Sequence, residues 1–361
     1  MQQVSPARSK IALSNLSLAN IPTSVYKVLL LLVTMAWGAS FVYMKDMVAV
    51  FPPGWLLGIR FTIAGLVILP FLLKRLRLRL TWKALAAGMV MGLLDFLGFF
   101  TQTVGLQTVS PGINAFLTAV YVVLVPFMWW VVAKRKPTKA NIVAAFVAIV
   151  GIWLVSVTSA SGSLSIGFGE IMTLLCAFFF AAHIVSVSIF SVFYDVLMLT
   201  VIQFITEGLL GLATGAVFET LPALTQITPV IVGELAFVVL FATIFAFGVQ
   251  NIALAHIEPT QASLILSLES VFGVVFSILL YGELLTVRLV VGFVLIFIAL
   301  LVSEGVFSRS EDSFIIYKQR FSLEDTACSC RGEFAASGEQ LTGAIPRTHD
   351  VVVHHEPVAD I

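Results

Sequence analysis

Ten stretches of predominantly apolar residues follow one another along the chain, and short polar breaks separate them. Each is long enough for a bilayer-spanning helix, which needs about 20 mostly apolar residues. The spans must be helical, because lipid cannot satisfy exposed backbone polar groups. We predict an all-α polytopic membrane protein whose ten transmembrane helices are Tyr26–Met44, Gly54–Leu73, Trp82–Val104, Gly112–Val132, Lys139–Thr158, Phe168–Phe190, Val196–Val217, Val230–Asn251, Thr260–Tyr281 and Val287–Ser303.

The composition is typical of a polytopic membrane protein and not of a soluble domain. Hydrophobic residues make up 59% of the chain and charged residues only 11%, against about 25% charged residues in an ordinary soluble domain. There is no basic stripe that would indicate nucleic acid, and the three cysteines do not form a disulfide framework. Enzyme and ATP-site motifs are missing, so we predict no enzyme activity, no cofactor and no metal site.

Lysine and arginine predict the orientation, because they concentrate in cytoplasmic loops. With the N-terminus inside and ten crossings, 17 of the 20 basic residues fall on the cytoplasmic side. Only Lys45, Arg60 and Arg288 are left for the outer side or the membrane. We therefore predict a multi-pass protein of the plasma or inner membrane with cytoplasmic N- and C-termini.

The chain is internally duplicated. Gln102 and Pro111 are nine residues apart, as are Gln250 and Pro259, and the two pairs are offset by 148 residues. Five helices per copy is an odd number, so the second copy must enter the membrane inverted. Inverted repeats of this kind are typical of transporters, in which the two halves rock about a midplane site. We predict a first repeat at 26–158, an outer linker at 159–167 and a second repeat at 168–304.

The two ends have a different composition. We predict a cytoplasmic N-terminal segment at 1–25 and, because residues 305–361 are polar without an apolar helical period, a disordered cytoplasmic tail. Cys328 and Cys330 with the tail histidines match no standard zinc spacing, which favours an unstructured tail over a metal cluster.

Polar residues form stripes inside three of the predicted helices, at spacings of i, i+4 and i+7 that share one helix face. The stripes are Asp95, Phe99 and Gln102; Asn114, Thr118 and Tyr121; and Thr243, Phe247 and Gln250, with Asn251 beside the last. Together they suit a cavity that recognises a small solute through a few hydrogen bonds and a flat apolar wall. The alternative for any single residue is a hydrogen bond between helices.

Ionisable residues also lie inside the apolar segments: Asp95, His183, Glu207, Glu269 and Arg60. A charge at the bilayer centre costs at least about 2.5–3.5 kcal/mol, so each must face a partner or water, or be neutral. Asp95 and Glu269, with Arg60, are the candidates for coupling solute movement to protons. A structural ion pair between Arg60 and a carboxylate, or transport without a coupling ion, is the alternative.

The residues that carry a family resemblance are WGASFVYMKDM in the first helix, SPGINAFLTAVYVVLVPFMWWVV in the fourth and QASLILSLESVFGVVFSILLYGELLT in the ninth. They resemble the two EamA repeats of the drug/metabolite transporter (DMT) superfamily. The resemblance implies helices five and ten at the periphery and a central cavity between the halves. Two positions depart from the family pattern. Ser270 stands where the family has a proline. The Gly-Glu pair that ends the fourth helix of each repeat is present in the second repeat as Gly282-Glu283, but the first repeat has Lys134-Arg135 there.

We therefore predict a secondary transporter that works by alternating access. Its solute would be a small metabolite, amino acid-like or another small organic compound, and export is the expected direction. Protons are the candidate coupling ion, and a second copy of the chain, forming a homodimer, is the candidate protein partner. Alternatives are a nucleotide-sugar or sugar-phosphate antiporter of the same superfamily and a non-transporting membrane scaffold or receptor. The predicted substrate-binding residues are Trp37, Asp95, Phe99, Gln102, Asn114, Thr118, Tyr121, His183, Phe247, Gln250, Asn251 and Glu269.

Overall fold

A computed structural model of the protein describes residues 22–134, 136–156, 166–222, 224–257 and 259–303, which belong to one compact unit. The predicted tail 305–361, with Cys328 and Cys330, lies outside the described residues. So do most of the N-terminal segment 1–25 and of the linker 159–167.

The predicted helical class is confirmed: all the regular structure of the described residues is helical. In the described part of the chain, seven helices are long and apolar enough by themselves to cross a membrane, and shorter apolar helices lie in the fifth, ninth and tenth spans. The ten helices are α1 Thr23–Val48, α2 Pro53–Arg79, α3 Trp82–Leu106, α4 Pro111–Ala133, α5 Lys139–Ser156, α6 Phe168–Phe193, α7 Val196–Phe218, α8 Pro229–Leu254, α9 residues 259–281 and α10 Val287–Ser303.

Helix starts follow from local sequence. Proline is the first residue of α2, α4 and α8, where its missing N–H costs nothing. The Thr81 side chain accepts a hydrogen bond from the Ala84 backbone N–H at the start of α3, and Ser110 and Thr228 cap α4 and α8 in the same way. These caps satisfy backbone groups that a helix end leaves open.

The helices form two inverted five-helix repeats, and equivalent helices pack on each other across the repeat boundary. Thus α2 packs on α7, and α5 packs on α10. In the duplication α1 to α5 correspond to α6 to α10. Helix α1 packs on α9, and its counterpart α6 packs on α4. Likewise α3 packs on α6, and its counterpart α8 packs on α1. Exchanging the repeats therefore reproduces these principal contacts.

Glycines fix the closest of these contacts and show that the paired helices are antiparallel. A Cβ atom added at Gly54 would lie 2.7 Å from the backbone nitrogen of Gly215, and one at Gly58 would lie 2.6 Å from that of Leu212. Gly151 and Gly292 meet in the same manner between α5 and α10. Small residues four positions apart, such as Gly54 and Gly58, allow membrane helices to approach closely.

Helices α4 and α9 are interrupted at equivalent positions. Helix α4 breaks at Ala119–Val120 and α9 at Ser267, which is 148 residues after Ala119. Both helices also end on a left-handed residue, Lys134 with φ 57° and Gly282 with φ 72°. The break in α9 thus forms with Ser270 in place of the family proline, and Lys134 adopts the backbone conformation of its glycine counterpart.

One local expectation is wrong. The second predicted helix ends at Leu73, before a basic run, but α2 continues through that run to Arg79. Lysine and arginine are good helix formers, so the helix does not have to end where its apolar stretch ends. Arg75 and Arg79 use this extra turn to reach Asp195 at the start of α7, at 3.1 Å and 2.6 Å.

Candidate functional site

A cavity lies between the two repeats, walled by α1, α3 and α4 of the first and α6, α8 and α9 of the second. The space within it that the centre of a water-sized sphere can occupy is about 40 Å³, and the total empty volume between its walls, which includes space open to solvent, is about 450 Å³. Two glutamines that are equivalent in the duplication, Gln102 and Gln250, both reach it. The full lining is Trp37, Ser40, Phe41, Asp95, Phe99, Gln102, Tyr121, Phe180, His183, Ile184, Phe247, Gln250, Leu266 and Glu269.

Glu269 lies on the cavity wall, in the helical segment that begins directly after the break in α9 at Ser267. The residue is only 5% exposed, and it forms no salt bridge in the part of the chain that the structure describes. The Tyr121 hydroxyl from α4 lies close enough to interact with its carboxylate. The carboxylate is thus open to the cavity and to any positively charged group that enters it.

Asp95 on α3 is the second carboxylate of the wall and belongs to a buried polar cluster. It accepts a hydrogen bond of 2.7 Å from Gln203 Nε2, and its other oxygen is 3.6 Å from His183 Nδ1. Glu207 interacts with Asp95 and Gln203 from α7, and its side chain is buried. Asp95 therefore contacts both the His183 imidazole and the Glu207 carboxyl, and all three side chains are buried.

The cluster continues away from the cavity through Asn251. Its side-chain amide donates to Gln203 Oε1 at 3.1 Å and to Thr200 Oγ1 at 2.9 Å. These bonds fix the Gln203 amide so that its Nε2 points at Asp95. Asn251 therefore orients the cluster from behind the cavity wall.

Arg60 on α2 is 1% exposed and is not part of the cavity wall. Its Nε donates to Thr243 Oγ1 at 2.7 Å and its Nη2 to the Ala242 carbonyl at 3.3 Å. Both acceptors lie in a π-helical segment of α8, Leu240–Phe245, which frees backbone carbonyls for outside donors. The guanidinium also lies 4.5 Å from the centre of the Phe99 ring.

Aromatic rings form the apolar part of the wall. The Phe99 ring packs on Phe180 and Phe247, with centroids 5.0 Å and 5.7 Å apart. Trp37 lies 5.4 Å from Phe247 and donates its Nε1–H to the Ala242 carbonyl at 2.8 Å. The indole is thereby held with its ring against the cavity.

A second buried network lies behind Gln102. The Gln102 amide donates to Thr118 Oγ1 at 3.1 Å, and Asn114 donates to Thr173 Oγ1 at 2.8 Å and to the Gln102 carbonyl. Thr118 also meets the buried thiol of Cys176. This network joins α3, α4 and α6 and turns Asn114 and Thr118 away from the cavity.

Of the twelve predicted site residues, nine line the cavity, whereas Asn114, Thr118 and Asn251 lie behind its wall. Sequence reasoning did not select Ser40, Phe41, Phe180, Ile184 and Leu266, which also line it. Ser40 and Phe41 follow Trp37 by three and four residues, which is the signal that could have found them.

The model of the EamA-like transporter family matches residues 25–157 and 167–304. An uncharacterized transporter from Archaeoglobus fulgidus is 33% identical over 273 residues, covering 76% of this chain and 83% of that protein. The uncharacterized transporter YoaV from Bacillus subtilis is 26% identical over 284 residues, or 77% and 96% of the two chains. A protein of known crystal structure shares the fold with a TM-score of 0.60 and 15% identity, over 78% of this chain and 96% of that one.

Proposed function

The chain belongs to the EamA-like transporter family, and on this premise we propose that it is a secondary transporter that carries a small organic solute by alternating access. We further propose that it lies in the plasma or inner membrane with both termini in the cytoplasm. Seventeen of 20 basic residues support that orientation.

The observation that carries the proposal is the cavity between the inverted repeats. Gln102 and Tyr121 reach it from the first repeat, and Gln250 and Glu269, at the equivalent positions, reach it from the second. A site built from both halves changes its access when the halves rock, since each half presents nearly the same contacts to either side. The solute would bind among these polar groups and the rings of Trp37 and Phe247.

Coupling to protons is the second element of the proposal. Asp95 contacts both Glu207 and His183, all three side chains are buried, and Asp95 also lines the cavity. Like charges placed together in a dry site are unfavourable, so the pair is suited to take up a proton when the cavity closes and to release it when water enters. Glu269 would then serve mainly as the carboxylate that meets the solute.

An anion exchanger of the nucleotide-sugar type is the weaker candidate. An anionic solute requires a cation in the cavity, but no lysine or arginine of the described chain lines it. The nearest guanidinium, that of Arg60, is already bound to Thr243 and Ala242.

Purified protein in proteoliposomes provides the test. A panel of radiolabelled amino acids and amines would be screened for uptake with and without a pH gradient, alongside Glu269→Gln and Asp95→Asn. Glu170→Gln, which removes a buried carboxylate outside the cavity, is the matched control.

We expect at least one compound to move faster than in empty vesicles, Glu269→Gln to reduce its transport at least tenfold, and Asp95→Asn to abolish its dependence on the pH gradient. Transport with unchanged pH dependence in Asp95→Asn would contradict the coupling. If the wild-type protein transported no compound of the panel, the proposed transport function would be contradicted.

A further inference from the structure

The charged groups on the cavity wall are almost all of one sign. Two carboxylates, Asp95 and Glu269, line it, and His183 is the one basic side chain among the lining residues that the structure describes. His183 is already paired with Asp95, 3.6 Å away. The ionisable side chains that meet an occupant of the cavity are therefore mainly acids, which can pair with a cation.

Two of the three basic side chains that the sequence leaves for the outer side or the membrane, Arg60 and Lys45, are bound outside the cavity. Arg60 donates to Thr243 and Ala242, as described above. Lys45, at the end of α1, donates its Nζ to the backbone carbonyls of Leu106 and Val109 at 2.6 Å and 3.0 Å. Among the described residues, a solute carboxylate or phosphate would thus find no lysine or arginine to bind in the cavity.

Glu269 and the aromatic rings supply the opposite chemistry. Glu269 is nearly buried, yet it has no ion pair in the described chain. Beside it the wall contains six aromatic side chains: Trp37, Phe41, Phe99, Tyr121, Phe180 and Phe247. Ring faces attract cations, and they attract organic ammonium groups most strongly when water is excluded.

We propose that the solute is an organic ammonium compound, a cation with a flat apolar group and without a free carboxylate. This inference rests on the proposed transport function and specifies its substrate class. The ammonium group binds the Glu269 carboxylate, with the Tyr121 hydroxyl as a second oxygen partner. The apolar group lies against Trp37 and Phe247, and Gln102 and Gln250 provide neutral polar contacts at its edge.

Three ligands that share a phenylethyl unit test this directly: 2-phenylethylamine, a cation; phenylalanine, the same amine with a carboxylate; and 3-phenylpropionate, an anion. Binding to the full chain in detergent would be measured by isothermal titration calorimetry at pH 7. Flux of each compound would be measured in proteoliposomes.

We expect 2-phenylethylamine to bind at least tenfold more tightly than either of the others. Glu269→Gln should weaken its binding at least tenfold, and Glu170→Gln should not change it. A thermal unfolding curve for each variant separates a lost ligand contact from a misfolded protein.

Equal or tighter binding of phenylalanine or 3-phenylpropionate, or unchanged amine binding in a folded Glu269→Gln protein, would overturn the inference. If other compounds of the wider panel are transported while the amine neither binds nor moves, only the substrate class is wrong. If the amine binds with the expected preference but nothing is transported, the substrate class is supported and the transport function is refuted.

Discussion

Replacing Arg60 with alanine is expected to be among the most destabilising single changes in the bundle. The change removes two charge-assisted hydrogen bonds, to Thr243 Oγ1 and to the Ala242 carbonyl, each worth about 1.5–3 kcal/mol when buried. It also removes contacts with the faces of Phe61 and Phe99, at 4.8 Å and 4.5 Å, worth about 0.5–2 kcal/mol.

These contributions are not additive, and the carboxyls Asp95 and Glu207 lose the cation whose charge acts on them. Removing one partner of a buried charge arrangement typically costs about 3–5 kcal/mol, and we expect Arg60→Ala to lose that much unfolding free energy. Arg60→Lys keeps the charge but not the planar donor geometry, so it should lose less.

The assay is unfolding in mixed micelles with increasing SDS, followed by tryptophan fluorescence. Arg75→Ala is the matched control, because the Arg75 side chain is 42% exposed and its ion pair with Asp195 should be worth less than about 1 kcal/mol. A loss in Arg60→Ala no larger than in Arg75→Ala would refute the reasoning that the buried guanidinium stabilises the fold.

Three further changes test the helix ends and contacts by the same unfolding measurement. Lys134→Gly should stabilise the protein by about 0.5–1 kcal/mol, because it relieves a left-handed backbone that its counterpart Gly282 adopts freely; a destabilised variant would contradict this. Gly58→Val should lower the unfolding free energy by about 1–3 kcal/mol, because the larger side chain pushes α2 away from α7. The control Gly233→Ala has open space around it and should be neutral or slightly stabilising. Glu283→Gln should cost about 1–2 kcal/mol, since Glu283 accepts from Ser110, Ser277 and the Gly112 N–H at the start of α4; an unchanged midpoint would show that this contact is unimportant.

The helices and their duplication could be predicted from the sequence, because the length of an apolar stretch and its repetition depend only on the chain itself. The stripe on α3 was also informative: Asp95, Phe99 and Gln102 all line the cavity. Helix α3 is uninterrupted, so side chains at i, i+4 and i+7 stay on one face.

The equivalent stripe on α4 was misleading for a physical reason. The break at Ala119–Val120 separates Asn114 and Thr118 from Tyr121, so only Tyr121 faces the cavity and the other two bond to α6 and α3. The environment of Arg60 could not be predicted either. Both of its acceptors lie in the π-helical part of α8, and no residue pattern in Leu240–Phe245 signals that backbone conformation.

The central claim is that the cavity between the repeats opens alternately to the two sides of the membrane, and measuring its access from each side tests this most directly. Ser40 lines the cavity, so Ser40→Cys would be introduced into a chain whose three native cysteines are replaced by serine. A membrane-impermeant thiol reagent would be applied separately to each side of sealed vesicles of known orientation. Thr34→Cys, buried on the same helix outside the cavity, is the control. Alternating access predicts that the Ser40→Cys protein is labelled from both sides and the Thr34→Cys protein from neither, whereas labelling of Ser40→Cys from one side only, under every solute condition, would contradict it.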